Sequence, residues 1–305
     1  MKEIKYSIII PHKNSFELLL RLLQTIPKHR DFEVIIVDDN SDFHEKKKLK
    51  SHSFNENVVL IFNEKSEGAG KARNMALKKV FGKWIIFADA DDFFTNKLSS
   101  LLEEYYDASQ DIIYFGTNSI FSDTGLQANR HERYMNLVCK YVEDNKKEDE
   151  LKYFYTPPWS KMIRTEIVIK NNICFEEIIA SNDMYFSLKS AYHADTITAS
   201  DKILYIITVT QGSLTNSFSR THFDAKLNAC IRANTFLCSI NKKKYQQSIL
   251  YFLAKSYKFG VKYMFSVIYK LFRNRSNLFI GLKKIINYKK VLNQRENIKY
   301  LVKKD

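Results

Sequence analysis

Glycine and proline are scarce, with eight and four in 305 residues. That excludes collagen-like, low-complexity and linker-dominated chains. Cysteine is equally sparse: four residues with no pair at CxxC spacing exclude a disulfide scaffold and a zinc-ribbon site. Cys139, Cys174, Cys230 and Cys238 read as reduced core thiols of a cytosolic protein. No segment approaches the roughly 18 uncharged apolar residues of a membrane span. The apolar run near the start, broken at Pro11 and His12, is too short for a signal peptide. The expectation is a cytoplasmic protein, or one peripheral to the cytoplasmic face of the inner membrane. Acidic residues are missing from one region. Residues 241–305 carry 17 Lys plus Arg against Glu296 and Asp305 alone, whereas the first 240 carry 31 basic and 32 acidic residues. The basicity therefore belongs to the C-terminal part and not to the whole chain.

What is present is an alternation. YSIII (6–10), EVIIV (33–37), NVVLIF (57–62) and KWIIFA (83–88) are short, nearly continuous apolar runs, suited to strands buried on both faces of a parallel sheet. Between them, 15–26 and 68–81 carry apolar residues at helical spacing. Strand, helix, strand, helix predicts an α/β fold with right-handed crossovers. Segment 95–107 predicts a helix with Thr95 as N-cap, and 111–121 a strand. Residues 122–150 are polar and weakly periodic, and predict an excursion or mobile loop. A helix is expected over 181–193, a strand over 196–209, and helices from about 217 onward.

In an open parallel sheet, ligands bind beyond the carboxyl ends of the strands. Here those ends read Pro11-His12-Lys13-Asn14, Asp38-Asp39-Asn40-Ser41-Asp42 and Asp89-Ala90-Asp91-Asp92. Two acidic clusters at one sheet edge repel each other unless cations or hydrogen-bond donors offset the charge. Asp-x-Asp after a buried strand suits Mg²⁺ or Mn²⁺, which would hold a diphosphate. The alternative is that these acids cap the following helices. His12 and His193 are isolated and read as structural. Gly68 and Gly70 permit a tight helix entry and a close backbone approach. GAGKARN lacks the GxxxxGK[ST] spacing of a phosphate loop.

IIIPHKN, VIIVDDNSD, GAGKARNMAL and WIIFADADD, in this order, resemble the inverting family 2 glycosyltransferases with a GT-A fold, of the bacterial surface-polysaccharide type. The resemblance covers about residues 1–215. It implies a mostly parallel, Rossmann-like sheet flanked by helices. The pattern beyond it, over 216–305, predicts a basic helical region that carries no motif of the family. It also implies a nucleotide-sugar donor, with UDP the expected nucleotide. Pro11, His12 and Asn14 would line the base pocket, mainly through backbone groups. Asp39 would accept from the uracil N3–H, with Asp38 alongside, and Arg73 would face the nucleotide and this first acidic cluster. Asp91 would ligate Mn²⁺ or Mg²⁺. Asp89 would contact the ribose or the metal shell, with Ala90 between them in the donor site and Asp92 behind.

An inverting transfer also needs a base for the attacking hydroxyl. The resemblance puts it at Asp183, with Asn182 where the family commonly has Glu; Glu176 and Glu177 are the fallback acids. Trp159 and Lys161 match the acceptor-side segment. Trp159 is either an exposed sugar platform or a core residue, and Lys161 either meets an anionic group or sits in solvent. Gln211-Gly212-Ser213-Leu214-Thr215 resembles an element that closes over the donor phosphates.

The segment 251–290 interleaves large apolar residues with Lys and Arg. It suits either an interfacial helix on anionic lipid or a helical bundle with a solvated basic rim. Nucleic acid is not an expected partner, because no nucleic-acid motif accompanies the charge. The expected acceptor is a growing glycan, lipid-linked if the tail serves a membrane. Two other readings are a sugar-1-phosphate nucleotidyltransferase, whose Gly-rich loop after the first strand is missing, and a non-catalytic nucleotide- or glycan-binding protein.

Overall fold

The structure, a computed structural model, describes residues 4–209, 219–274, 276 and 280. The chain divides into two compact units, Met1–Val209 and Thr210–Asp305. The boundary expected at 215/216 and the segment Gln211–Thr215 lie outside the described residues.

The first unit is built on an eight-stranded sheet: β1 (Tyr6–His12), β2 (Phe32–Asp38), β3 (Val58–Phe62), β4 (Trp84–Phe87), β5 (Phe93–Phe94), β6 (Ile112–Phe121), β7 (Lys161–Arg164) and β8 (Ile197–Val209). Their order is β3-β2-β1-β4-β7-β6-β8-β5. β7 runs antiparallel to β4 and β6, and β5 antiparallel to β8; the other pairings are parallel. The apolar runs explain the centre. Ile8, Ile9, Ile10, Val34, Ile35, Ile36, Ile85 and Ile86 are all buried, as strands covered on both faces require. The register pairs His12 with Asp38, so the first two strand ends lie side by side.

The helices of this unit are α1 (Phe16–Gln24), α2 (Phe43–Ser51), α3 (Ala69–Leu77), α4 (Leu98–Glu104), α5 (Glu132–Glu143), α6 (Glu148–Phe154), α7 (Thr165–Lys170) and α8 (Asp183–His193). Sequence periodicity gives no sign of α2, because Leu49 is its single buried residue. Its start is fixed instead by Asp42, which accepts from the Glu45 N–H at 3.0 Å. Residues 122–150 are not a loop, as α5 and α6 occupy much of the stretch. Tyr134, Leu137, Val138 and Tyr141 form a helical stripe packed on the core, which the surrounding charged residues hide from a simple reading. Thr95 does not cap α4. Lys97 stands at that position, and the Thr95 hydroxyl donates to the Ile203 carbonyl at 2.8 Å.

None of the four cysteines forms a disulfide, but Cys174 is exposed and Cys139 and Cys238 only partly covered, so Cys230 alone is a buried thiol. The second unit contains α9 (Arg220–Ser239), α10 (Leu250–Ser256) and α11 (Val261–Arg273). Phe223, Leu227, Ile231, Phe252, Val267 and Leu271 form part of its own small core. Among the described residues no helix is long and apolar enough to cross a membrane.

Two glycines shape the entry to α3. Gly68 precedes it at φ +90°, a conformation that disfavours side chains. At Gly70 an added Cβ would lie 2.2 Å from the Glu176 carbonyl oxygen. The helix thus packs directly against the backbone that leads to α8. Gly70→Ala is expected to cost about 1–3 kcal/mol, the usual penalty of overpacking, read as a lower urea midpoint. An unchanged midpoint would show that the two segments separate freely.

Candidate active site

The site begins at the ends of β1 and β2. The His12 imidazole donates from Nδ1 to Asp38 Oδ1 at 2.9 Å, and Nε2 accepts from the Ser15 N–H at 3.2 Å. Both side chains are fully buried. The ring proton therefore sits on Nδ1, and no ring nitrogen is left for a ligand. Asp38 also accepts from the Ser41 N–H at 3.0 Å and from the Ser41 hydroxyl. Burial alone would raise the Asp38 carboxyl, but the donors from His12 and Ser41 outweigh it and hold it below the ordinary carboxylate value. The His12 and Asp38 side chains are thus committed to each other, to Ser15 and to Ser41, which leaves His12 its backbone groups for the base-pocket role expected of it.

Asp39 is committed in the same way. It accepts from Asn63 Nδ2 (3.1 Å), the Glu67 N–H (2.9 Å), the Ser66 hydroxyl (3.0 Å) and the Gly68 N–H (2.9 Å). A carboxylate offers about four acceptor sites, and the loop before α3 fills them. A uracil N3–H would have to displace one of these donors. Asn14, at φ +48°, accepts from the Asp42 N–H at 2.8 Å and so ties together the loops that follow β1 and β2. Pro11 lies in β1 opposite Val37.

The end of β4 is different. Arg73, 5% exposed on α3, donates to Asp89 Oδ1 at 2.5 Å and to Asn182 Oδ1 at 3.0 Å, with its guanidinium over the Phe175 ring at 5.1 Å. It therefore faces the second acidic cluster and the start of α8, not the first cluster as expected. Ala90 is buried, and Asp92 is buried behind it, accepting from the Thr208 N–H at 2.7 Å. Burial, with Asp91 and Asp89 adding to it, pushes the Asp92 carboxyl well up. Burial, then the neighbouring Asp89, also raises Asp91. Among the described residues the Asp91 carboxylate has no ion-pair partner.

The chemistry of this pair can be tested against a divalent cation. Among the described residues no three acid, imidazole or thiol side chains gather around one point. A cage of protein ligands is thus not present. Mg²⁺ commonly takes only one or two carboxylates and completes its shell with water and phosphate oxygens. Asp91, with no ion-pair partner among the described residues and Asp89 beside it, fits that mode.

Asp183 is the first residue of α8. Burial pushes its carboxyl above the ordinary value and Asp89 adds to this, while Arg73 and Lys161 pull it down. No other side chain donates to it among the described residues. A carboxylate at a helix N-terminus, with no other side chain donating to it and a raised pKa, has the properties of a general base. Of the fallback acids, Glu177 is paired with Lys71 at 3.1 Å and accepts from Asn74 at 3.1 Å, which holds it below its ordinary value.

Trp159 and Lys161 are both buried. Trp159 is 4% exposed and stacks on Tyr205 at 5.8 Å and 14°, so the core alternative is the one observed. Lys161 reaches neither solvent nor an anionic group directly. It is 2% exposed, donates to the Tyr155 carbonyl at 2.8 Å and lies over the Tyr155 and Tyr114 rings at 4.8 and 5.1 Å. Burial pulls its ammonium down to about 7. Sequence reasoning missed Tyr205, whose hydroxyl accepts from the Asp89 N–H at 2.8 Å, and Arg21, which donates to the Asp91 carbonyl. Both look like ordinary members of an apolar strand and an amphipathic helix, and only the fold brings them to Asp89 and Asp91.

A mostly parallel sheet with two acidic strand ends, the second joined by Arg73 to Asn182 just before α8, has the architecture of a GT-A glycosyltransferase. The glycosyl transferase family 2 profile matches residues 7–170, more than half of the chain, and the protein belongs to that family. It is 27% identical over 226 residues to the poly(ribitol-phosphate) beta-N-acetylglucosaminyltransferase TarS of Staphylococcus aureus, covering 68% of this chain and 36% of that protein. The chain thus spans about a third of that relative's length. It is 25% identical over 236 residues to the cholesterol galactosyltransferase of Borreliella burgdorferi, covering 72% and 64%. Among solved structures, S. aureus TarS 1–349 in complex with UDP-GlcNAc superposes with a TM-score of 0.59 at 20% identity, over 84% of this chain and 76% of that one. The mannosyltransferase PcManGT from Pyrobaculum calidifontis in complex with GDP-Man and Mn²⁺ gives 0.58 at 13% identity, over 99% and 86%. At these identities the likeness establishes the fold.

The buried Asp38 predicts an acid limb in stability. Its folded-state pKa is depressed, so its contribution is fully present above the unfolded value of about 3.9 and is lost as pH falls through the lower folded value. Asp38→Asn should lose about 1.5–3 kcal/mol at pH 7, the worth of hydrogen bonds to a charged group. It should also flatten the loss below about pH 4, both read by urea unfolding. A variant that keeps the parent's acid dependence would contradict this.

Proposed function

We propose that this protein is an inverting glycosyltransferase that moves a sugar from a nucleoside diphosphate, UDP by preference, to a hydroxyl of a growing glycan. The observation that carries the proposal is the Arg73 bridge from Asp89 to Asn182, which holds the Asp-x-Asp end of β4 beside Asp183. Relatives bearing the names of poly(ribitol-phosphate) glycosyltransferases support a surface-polymer acceptor. A lipid-linked glycan is the form that a basic C-terminal region would serve, and it would keep the enzyme peripheral to the cytoplasmic face of the membrane.

Each role follows from the residue's surroundings. Asp91 and Asp89 face the leaving diphosphate, and Mn²⁺ or Mg²⁺ held there would neutralise the charge that develops on it. Arg73 fixes the Asp89 carboxylate while Tyr205 fixes its backbone. Asn14 and Pro11 shape the wall where the base would lie. Asp183 takes the proton of the attacking hydroxyl, and its raised pKa makes it a better acceptor than an exposed aspartate. Arg73 and Lys161 pull its pKa down against the effect of burial. Lys161 acts from within the core, where it meets no substrate.

Asp183→Asn tests the proposal directly. The substitution retains size and helix-start polarity, so donor affinity, measured by calorimetry with UDP and Mn²⁺, should be close to the parent's. The transfer rate, followed by UDP release with a panel of UDP-sugars, should fall about 10²- to 10⁴-fold. A variant that transfers at the parent rate would remove Asp183 from the chemistry.

A further inference from the structure

Among its described residues the second unit presents an apolar ridge outside its small core. In α11, Val267 and Leu271 are buried in the unit's core. Val261, Phe265, Ile268, Tyr269 and Phe272 recur at spacings that share another face, and they are 63%, 61%, 38%, 66% and 75% exposed. Large apolar side chains clustered in this way mark a surface that meets something.

The charge around the ridge identifies the class of partner. Lys262 and Arg273 are exposed on the same helix, and no Asp or Glu occurs from Asn241 to Arg295. A second copy of this face would bring cations against cations. A neutral groove would leave them without counterions. An anionic lipid surface satisfies both features, because acyl chains take up the Phe and Ile side chains while headgroups meet the cations. Tyr269, with an apolar ring and a polar tip, suits the boundary between them.

We infer that the exposed face of α11 inserts into the interface of an anionic membrane and is the part of the C-terminal region that docks there. This deepens the peripheral-membrane element of the proposed function and rests on it. The face is amphipathic and short, so it lies in the interface and does not span it.

The test uses the full chain and extruded vesicles, either neutral phosphatidylcholine or an equal mixture with phosphatidylglycerol. The parent should sediment with the anionic vesicles, weakly with the neutral ones, and less at high salt. The double variant Phe265→Ser, Phe272→Ser changes only exposed positions, and its thermal melt checks that it stays folded. It should partition about tenfold or more weakly. Phe272→Trp provides a second readout. The native Trp84 and Trp159 are buried, so a blue shift on anionic vesicles reports the new indole.

Parent-level sedimentation of the double serine variant would overturn the inference. So would an unshifted Phe272→Trp, or a concentration-dependent dimer that the serine variant abolishes without changing vesicle binding. Vesicle binding through this face by a protein that transfers no sugar would defeat the proposed function and leave the docking face standing. Transfer to a soluble acceptor with no affinity for anionic vesicles would do the reverse.

Discussion

The site depends on one guanidinium. Arg73 is buried on α3 and divides its donors between Asp89, at the end of β4, and Asn182, just before α8. These elements are about a hundred residues apart in sequence for Asn182 and sixteen for Asp89. An arginine can serve two acceptors at once because its donors are fixed in a planar fork; a lysine could not hold the same geometry. Around it, Gly70 lets the helix meet the Glu176 carbonyl. Asn74 exchanges hydrogen bonds with the backbone of Phe175 at 2.8 and 3.0 Å. The GAGKARN segment is therefore a docking face for the chain that leads to Asp183.

The acids at the sheet edge separate into two groups by what already satisfies them. Asp38 is held by His12 and Ser41, Asp39 by the loop before α3, and Asp92 by Thr208. These three stiffen the frame, since breaking a buried charged hydrogen bond is costly. Asp91 and Asp183 accept from no other side chain among the described residues, and burial raises both. Carboxylates left short of compensating charge are the ones that gain from a cation, a phosphate-bound metal or a proton.

Much of this was legible from the residues. The continuous apolar runs gave the central strands, and the polar residues after them gave the acidic edge. What was not legible depended on tertiary partners. Nothing in the spelling of Pro11-His12-Lys13-Asn14 says that the imidazole turns inward to Asp38. Trp159 follows two prolines, a context equally compatible with a surface platform, yet it stacks under Tyr205. Lys161 was misread because a lysine inside a core is rare without a paired acid; here a carbonyl and two aromatic rings receive it. Arg73 was placed near the correct chemistry but turned toward the wrong cluster, since its direction is set by the 175–182 segment. The helix α5 was missed because charges interrupt an otherwise regular stripe.

If Arg73 electrostatically couples the two halves of the site, its loss must be felt at Asp183. The most direct measurement is the pH dependence of the transfer rate in the parent and in Arg73→Gln, with unfolding midpoints compared alongside. Arg73 lowers the Asp183 pKa, so the variant's acid limb should move to higher pH, and its rate near neutrality should fall more than its donor affinity. An acid limb at the parent's position, in a variant that folds normally, would contradict the coupling on which this account rests.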